Sequence, residues 1–402
     1  MGIKKKGIER ENMDAVERVL KAINHEEPDR VPGWESAFTN NTISQHYGIE
    51  EGRGDFGISL LKNVPDKMKV VNQVIKSKRM MKPGFERYFK LFHKIGLDIG
   101  TCISTNFPRF VLDDANGFVD EYGRIMKFEH YEKDGTVIIG YHGGYLKSFE
   151  DYESWEKMDP NFEARLVGYL AGKEIQEDMN DEILAAPAIA GIMEDAWEGF
   201  GLETFSRILA KPKQTKKIFD DYGKFTLELV KILAENGAKL IIIWDDYGFK
   251  NGLFMRAENY RKYIFPWLRQ ICDAAHKLDS HILLHSDGDL FEIFEDIVKC
   301  GIDILNPIEP TTANPEYNIF KLNQKYGDKI TFCGNLAPQM LSTGEISEIE
   351  AYAKRLIREL APGGGYIFSS GHSINPAVTL DRFLAMQNVK KKYGNYPINV
   401  PN

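Results

Sequence analysis

The sequence predicts an α/β protein built as a single (β/α)8 barrel of the TIM type, with an N-terminal helical extension and a β-hairpin insertion. Three observations support this prediction. Short apolar runs recur along the chain, amphipathic segments of helical length separate most of them, and polar residues directly follow six of the runs. The chain has 402 residues, 43 % of them hydrophobic, which is enough apolar material for one large core.

Eight apolar runs are the strand candidates. Most are continuous rather than alternating, as strands are when both faces of the sheet are covered. The candidates are Arg30–Glu35, Leu97–Ser104, Ile183–Ile189, Lys239–Asp245, His281–Ser286, Ile302–Asn306, Ile330–Gly334 and Tyr366–Ser370. Because helical patterns separate the last six, we expect parallel strands with right-handed crossovers, and eight such strands favour a closed barrel over an open sheet.

Helical periodicity fills the segments between the later strands. The predicted helices are Gln214–Glu235, Ala257–Leu278, Leu290–Lys299 and Ile346–Leu360. Pro266 is expected to kink the second of these, because proline lacks the backbone donor and its ring clashes with the preceding turn.

One segment departs from this rhythm. Phe107–Lys147 alternates polar and apolar residues around turns such as Asp134–Gly135, which predicts a β-hairpin insertion. A helical region follows it. We therefore expect one domain over residues 1–402, with an insertion at about residues 107–180 that has no core of its own.

Composition and charge exclude several classes of protein. The formal net charge is −8, which argues against nucleic acid or an anionic membrane as the partner, since both require a basic surface. The four cysteines form no C-x-x-C pair, so a disulfide framework or a closed thiolate zinc site is not expected. No apolar run reaches membrane-spanning length, and residues 1–7 lack the apolar region of a signal peptide. We expect a soluble cytoplasmic protein.

The polar residues after the predicted strands are the candidates for a functional site. They are Glu194, Asp245, Asp246, Tyr247, His285, Asp287, Asn306, Glu309, Asn335 and His372. The carboxyl ends of barrel strands meet at one mouth, where barrel enzymes carry their chemistry. Because a buried carboxylate or imidazole is unfavourable unless it is paired or liganded, we expect catalytic roles for Asp245, Asp246 and Asp287.

Each candidate also has a purely structural interpretation. Asp245 and Asp246 could cap the loop that follows their strand. His285 and Asp287 lie two residues apart and so face the same side of an extended chain, as a metal pair or an oriented acid–base couple requires. A single histidine at a strand end is nevertheless more often structural, and His372 could be a surface residue.

The order of several motifs resembles the uroporphyrinogen-decarboxylase-like superfamily. The matching stretches are Asp29–Pro32, Leu284–Gly288, Gly301–Pro310, Cys333–Asn335, Gly364–Ile367 and His372–Ile374. The resemblance covers most of the chain. It implies a (β/α)8 barrel and an enzyme of either of two kinds, a porphyrinogen decarboxylase or a corrinoid-dependent methyltransferase.

This sequence differs from the motifs of each of these two kinds of enzyme at one place. The decarboxylases have an arginine-containing run after the first strand that holds the substrate's carboxylates, whereas here Trp34–Thr39 contains no arginine. The methylcobamide methyltransferases have a zinc site of His-x-Cys plus a distant cysteine. The matching positions here are His285, Asp287 and His372, so the resemblance implies a site with nitrogen and oxygen ligands, which would suit zinc. We expect the metal near His285 and His372, with Asp287 or Glu194 completing its ligands.

The resemblance is greatest to the substrate-demethylating components of anaerobic O-demethylase systems. It implies a methyltransferase that takes the methyl group from a methoxylated aromatic compound and transfers it to the cobalt of a separate corrinoid protein. We expect Trp34, Phe38, Phe107 and Tyr247 to form a flat apolar slot for the donor, and Asn306, Glu309 and Asn335 to recognise its polar groups. The alternatives are transfer from a methylcorrinoid to a thiol or folate, uroporphyrinogen decarboxylation, and a catalytically inactive barrel that binds a corrinoid or porphyrin.

Overall fold

A computed structural model describes residues 13–49, 61–62 and 64–401 of the chain. Residues 1–7, from which we expect no signal peptide, lie outside this part. Within the described ranges, none of the helices has the length and apolar character needed to cross a membrane.

The described residues form two main sheets, a short β-ribbon and surrounding helices. The strands are β1 Ile99–Ile103, β2 Pro108–Val111, β3 Gly117–Asp120, β4 Arg124–His130, β5 Val137–Gly144, β6 Leu184–Ala190, β7 Leu240–Trp244, β8 Gly248–Phe249, β9 Gly252–Leu253, β10 His281–His285, β11 Ile304–Asn306, β12 Thr331–Leu336 and β13 Tyr366–Ser370. The α-helices are α1 Ala15–Ile23, α2 Asn41–His46, α3 Lys67–Ile75, α4 Lys78–Ile95, α5 Phe149–Ser154, α6 Ala164–Asp178, α7 Glu194–Phe200, α8 Leu202–Leu209, α9 Pro212–Glu235, α10 Ala257–Asn259, α11 Phe265–His276, α12 Phe294–Lys299, α13 Ile319–Tyr326, α14 Pro338–Thr343, α15 Ile346–Leu360 and α16 Leu380–Tyr393.

The larger sheet is parallel throughout, in the order β1-β6-β7-β10-β11-β12-β13. Its strands lie within a few residues of seven of the eight predicted ones, and helices connect them as expected. The eighth candidate, Arg30–Glu35, forms no regular strand. It contributes an extended segment with a parallel bridge between Gly33 and Phe368.

This extended segment joins the two edges of the curled sheet. On one side the backbone N–H of Trp34 donates to Phe368 (3.1 Å), and that of Phe368 donates to Pro32 (2.9 Å). On the other side the N–H of Asp98, just before β1, donates to the carbonyl of Gly33 (2.8 Å). The Asp98 carboxylate accepts in turn from the N–H of Gly33 and from Arg30. The predicted (β/α)8 class is therefore confirmed, with an irregular first strand.

Strand alternation decides which side chains reach the mouth. Leu240 and Ile242 of β7, Leu283 of β10 and Ile304 of β11 lie in one buried cluster inside the barrel. Successive inward positions lie two residues apart along a strand. The next inward positions toward the carboxyl ends are therefore Trp244, His285 and Asn306, and these side chains meet at the mouth.

The predicted hairpin insertion is an antiparallel sheet of four strands, β2-β3-β4-β5. The helical region after it is not part of the insertion as far as residue 180, because helix α6 packs on the barrel. A Cβ atom at Gly172 of this helix would lie 2.3 Å from the Sγ atom of Cys102 in β1, so glycine permits the close approach. The division of the chain into domains stays a prediction.

The predicted helix Ala257–Leu278 is divided into three parts. A turn of α-helix is followed by a π-helix at Tyr260–Ile264 and then by α11. Pro266 lies in the first turn of α11, where its missing N–H has no helical partner to lose. The departure from a regular helix thus precedes the proline rather than following from a kink at it.

Candidate active site at the carboxyl ends of the strands

His285 occupies the inward position at the end of β10, and its neighbour Asn306 orients it. The Nδ2 of Asn306 donates to the carbonyl of Cys333 (2.9 Å), which leaves its Oδ1 to face the imidazole. That oxygen lies 2.7 Å from Nδ1 of His285 and so accepts from it. The Nε2 lone pair of a neutral His285 is therefore directed into the site, as metal-binding histidines are when a second group holds the other nitrogen.

Asp287 lies on the loop after β10, and backbone contacts fix this loop. Its N–H donates to Oδ1 of Asp246 (2.7 Å), and the N–H of Gly288 donates to Oε2 of Glu309 (3.0 Å). A Cβ atom at Gly288 would lie 2.3 Å from the backbone carbon of Gly248, so only glycine allows this packing. Asp287 is thereby held with Oδ2 3.9 Å from Nε2 of His285.

Asp246 follows β7 and faces the same space. Burial raises its pKa well above the ordinary value of an aspartate, and the nearby charges of Glu194 and Asp287 raise it further. The N–H of Asp246 also donates to Oε2 of Glu194 (3.2 Å), which keeps these carboxyl groups close together. Three neighbouring carboxylates repel one another, so a proton or a cation is needed to stabilise them.

The residues present fit a divalent metal ion. Ligand atoms of Asp246, His285 and Asp287 all lie within 4.8 Å of one another. The buried Oδ1 atom of Asp287 has no hydrogen-bond partner among the described residues, which leaves a free acceptor at this point. Nitrogen and oxygen donors of this kind suit zinc, although less selectively than thiolates would.

Two of the predicted metal ligands lie at the edge of this group. Nε2 of His372 is 3.5 Å from Oδ2 of Asp287, but its side chain is 53 % exposed and its Nδ1 contacts Ser373. Glu194 contacts the backbone of Asp246 and is not among the three residues whose ligand atoms converge. Asp246, which we expected to be catalytic, completes the converging group with His285 and Asp287, and these three residues are termed the donor set.

Asp245 has a different role from the catalytic one that we expected. Its carboxylate accepts hydrogen bonds from the backbone N–H groups of Ile192 (2.9 Å), Met193 (2.8 Å) and Glu194 (2.8 Å). Burial raises the pKa of Asp245 to about 6, while these N–H groups act to lower it. Since both oxygens accept from backbone amides of the chain that leads into α7, Asp245 positions this loop.

We expect an Asp245→Asn substitution to reduce stability much more than Asp246→Asn does. An asparagine at 245 offers one acceptor oxygen, and its NH2 group would face a backbone donor, so buried N–H groups lose their partner. The expected loss in the free energy of unfolding is about 2–4 kcal/mol. Urea denaturation followed by circular dichroism measures it. An Asp245→Asn variant as stable as the natural protein would contradict this role.

The three residues that we expected to recognise polar groups of the donor are engaged within the protein. Asn306 orients His285, as described above. Glu309 accepts from Gly288 and from the hydroxyl of Thr311. Asn335 donates to the carbonyl of Ile308 (2.5 Å) and accepts from the hydroxyl of Tyr352 (2.9 Å). These residues stabilise the loops of the mouth, and the structure gives no support for direct recognition by them.

An apolar cavity of about 530 Å³ lies at the carboxyl end of β7, where Trp244 forms part of its wall. Phe38 and Trp244 line it together with Met81, Phe85 and Tyr88 of helix α4. Trp244 lines the cavity and is also paired in register with His285 in the neighbouring strand. A small apolar molecule in the cavity would therefore contact the strand neighbour of His285.

Of the four aromatic residues predicted to form the slot, Phe38 alone lines this cavity. Trp34 is fully buried inside the barrel, where its Nε1 donates to Thr101 (3.3 Å). Phe107 packs against Phe162 and lines a separate polar cavity beside the insertion. Tyr247 is buried against Tyr260 and Phe265. These three side chains stabilise the core, as most buried aromatic residues do.

The other residues that line the cavity were not predicted from the sequence. The position of Trp244 at the mouth could have been predicted, because this residue ends an apolar strand directly before Asp245 and Asp246. The positions of Met81, Phe85 and Tyr88 could not, because an amphipathic helix more than 150 residues before Trp244 in the chain gives no indication of which strand end it covers.

Comparison with known proteins agrees with this architecture. Residues 188–393 match the family model described as uroporphyrinogen decarboxylase (URO-D), which spans half of the chain and contains His285, Asp287 and Asp246. The chain belongs to this family. The predicted resemblance to the uroporphyrinogen-decarboxylase-like superfamily is therefore confirmed.

Individual relatives are distant. A uroporphyrinogen decarboxylase of Alcanivorax borkumensis is 24 % identical over 90 % of this chain and 93 % of its own length. One of Pseudoalteromonas translucida is 21 % identical over 58 % of this chain, and one of Geobacter sulfurreducens is 25 % identical over 47 %. These two alignments span only 65 % and 53 % of the relatives' own lengths.

A solved structure shares the fold. A methyltransferase from Methanosarcina mazei is 18 % identical, with a TM-score of 0.64 over 95 % of this chain and 99 % of its own. At this identity the likeness establishes the barrel architecture alone.

Proposed function

We propose that this enzyme demethylates a methoxylated aromatic compound and transfers the methyl group to the cobalt of a corrinoid protein. The observation that carries the proposal is the donor set together with an uncharged apolar cavity that Trp244, the strand neighbour of His285, lines. The fold that the chain shares with a methyltransferase supports it as well.

The chemistry requires help with the leaving group. The bond between oxygen and methyl carbon breaks with its electron pair remaining on oxygen, and the reduced cobalt supplies both electrons of the new cobalt–carbon bond. The cobalt is thereby formally oxidised by two electrons, and the aryl oxygen takes up one proton to leave as a phenol. An aryl oxide leaves slowly unless its developing charge is neutralised.

The residues at the mouth provide this neutralisation. The raised pKa of Asp246 favours a protonated carboxyl group, which can donate its proton to the leaving oxygen. His285, Asp287 and His372, whose Nε2 lies 3.5 Å from Asp287, would hold a zinc ion, while Asp246 beside them keeps its proton for the leaving oxygen. When bound, zinc supplies a Lewis acid for the ether oxygen.

The cavity has two further tasks. Its walls hold the aromatic ring so that the methyl group faces the open side of the mouth, where the partner's cobalt must approach in line with the breaking bond. They also exclude water from the apolar part of the donor, which strengthens the electrostatic interactions at the oxygen.

A decarboxylase activity fits this mouth less well. A substrate with many carboxylates needs cationic partners, whereas the described mouth carries Glu194, Asp246, Asp287 and Glu309. The segment after the first strand supplies Ser36 and Thr39 to the cavity and contains no arginine.

The test is a methyl-transfer assay. We expect the zinc-supplied enzyme to convert a reduced corrinoid protein to its methylated form with a panel of methoxyarenes, followed by the absorbance of methylcobalt. An enzyme that methylates a thiol or folate from methylcobalamin but never demethylates a methoxyarene would show that the direction is reversed.

A further inference from the structure

The walls of the apolar cavity contain no charged side chain among the described residues that line it. Phe38, Met80, Met81, Phe85, Tyr88 and Trp244 supply most of the surface. The polar side chains that also line it, such as Ser36, Thr39 and Thr101, carry neutral hydroxyl groups. These hydroxyls can exchange hydrogen bonds with a phenol or an ether, but they cannot neutralise a carboxylate.

Two buried arginines of the described residues, Arg124 of β4 and Arg165 of α6, are already paired. Arg124 contacts the carboxylates of Asp120 (2.7 Å), Asp195 (2.8 Å) and Glu198 (3.0 Å). Arg165 contacts Glu121 (2.6 Å). Neither can turn to a substrate without leaving a buried carboxylate unpaired, which is strongly unfavourable.

Among the described residues that line the cavity, Trp244 is paired in register with His285 of the neighbouring strand. A carboxylate that enters the cavity loses its hydration against apolar side chains, and none of these lining residues offers it a cation. This loss of hydration opposes the binding of an anion.

We infer that this cavity selects uncharged methoxyarenes, such as methoxyphenols, and excludes methoxybenzoates. The inference rests on the proposed function for the methyl transfer itself, but it concerns which ring is bound. The residues that determine the selection are the uncharged side chains of α4 and of the segment containing Phe38.

Binding is measured first, without any transfer. Isothermal titration calorimetry of the zinc-supplied enzyme compares 2-methoxyphenol with 4-hydroxy-3-methoxybenzoate, which adds a carboxylate to the same substituted ring. We expect the phenol to bind at least about a hundredfold more tightly, because the carboxylate finds no partner. Affinities within threefold of each other, or no binding of the phenol, would overturn the inference.

A second measurement uses a variant with an altered cavity wall. Met81 is half-buried on α4 and faces the cavity, so Met81→Arg places a guanidinium group beside the bound ring. We expect the affinity for the methoxybenzoate to rise about tenfold and that for the phenol to fall. If Met81→Arg does not fold, Met80→Arg serves the same purpose, since Met80 is exposed and also lines the cavity.

The control is Leu170→Arg, which adds the same charge at an exposed position of helix α6. It should leave the preference for the phenol unchanged. An equal gain in methoxybenzoate affinity in Leu170→Arg would show that net charge, and not the cavity wall, sets the preference, and would overturn the inference.

Transfer assays separate the two proposals. If methyl transfer from the methoxybenzoate is as fast as from the phenol, the inference fails while the proposed function stands. If the phenol binds selectively but no methyl group reaches the corrinoid protein, the binding preference stands while the proposed function fails.

Discussion

Zinc binding should be lost from an Asp287→Ala variant, and methyl transfer should fall by about a thousandfold with it. The natural protein, purified without chelator and supplied with zinc, is expected to hold close to one equivalent of metal. The variant is expected to hold less than about a tenth of an equivalent. Elemental analysis of the desalted proteins measures both.

The physical reason lies in the position of Asp287. Its Oδ2 faces Nε2 of both His285 and His372, and its buried Oδ1 lacks a partner among the described residues. Removing this carboxylate takes away the residue that links the two histidines to Asp246. The two histidines that remain do not hold zinc firmly against water.

Asp289→Asn is the matched control. This residue lies on the same loop, where it accepts from the N–H of Phe291 (3.0 Å) and from Asn314 (3.4 Å) rather than facing the histidines. It should retain metal and activity. If the natural protein itself binds less than about a tenth of an equivalent of zinc, Asp287 orients His285 and Asp246 as a metal-free acid, and the metal proposal is wrong.

The sequence predicted the barrel because its signal is local. Runs such as residues 240–244 and 281–285 are apolar, are bounded by polar residues and are followed by helical periodicity, and each property depends on neighbours in the chain. The same alternation that places Leu283 inside the barrel also places His285 at the mouth. The prediction that His285, Asp287 and Asp246 lie together follows from strand geometry alone.

Other features of the site depend on contacts that strand periodicity does not reveal. Asp245 and Asp246 are chemically identical neighbours. Asp245 is a backbone cap because the loop after β6 presents three N–H groups to it. Asp246 instead faces the site, where it accepts from the N–H of Asp287. The cavity wall comes from α4, a helix outside the barrel strands. The first strand is irregular because the segment is fixed by Asp98 and Arg30 more than by a ladder of backbone hydrogen bonds.

The contrast between these two aspartates leads to the second large effect. An Asp246→Asn variant is expected to fold as the natural protein does and to lose about a hundredfold in kcat, the usual scale for the loss of a general acid. Burial and the charges of Glu194 and Asp287 favour the protonated form of Asp246, so asparagine preserves the charge and shape of the resting group but cannot release a proton. Asp245→Asn is the comparison, because its main expected effect is a lower free energy of unfolding.

The acidity of the leaving phenol can be varied to test whether Asp246 donates a proton. An aryl ether of a nitrophenol yields a more acidic phenol and needs less protonation as the bond to methyl breaks, yet it remains uncharged and so suits the cavity. We expect the hundredfold loss with 2-methoxyphenol to shrink to less than about tenfold with the nitro-substituted ether, because general acid catalysis contributes most to the poorest leaving groups. Single-turnover transfer to excess reduced corrinoid protein, with the metal content of each preparation measured alongside, gives the two ratios. Equal losses for both ethers at full metal content would show that Asp246 positions the site without transferring a proton.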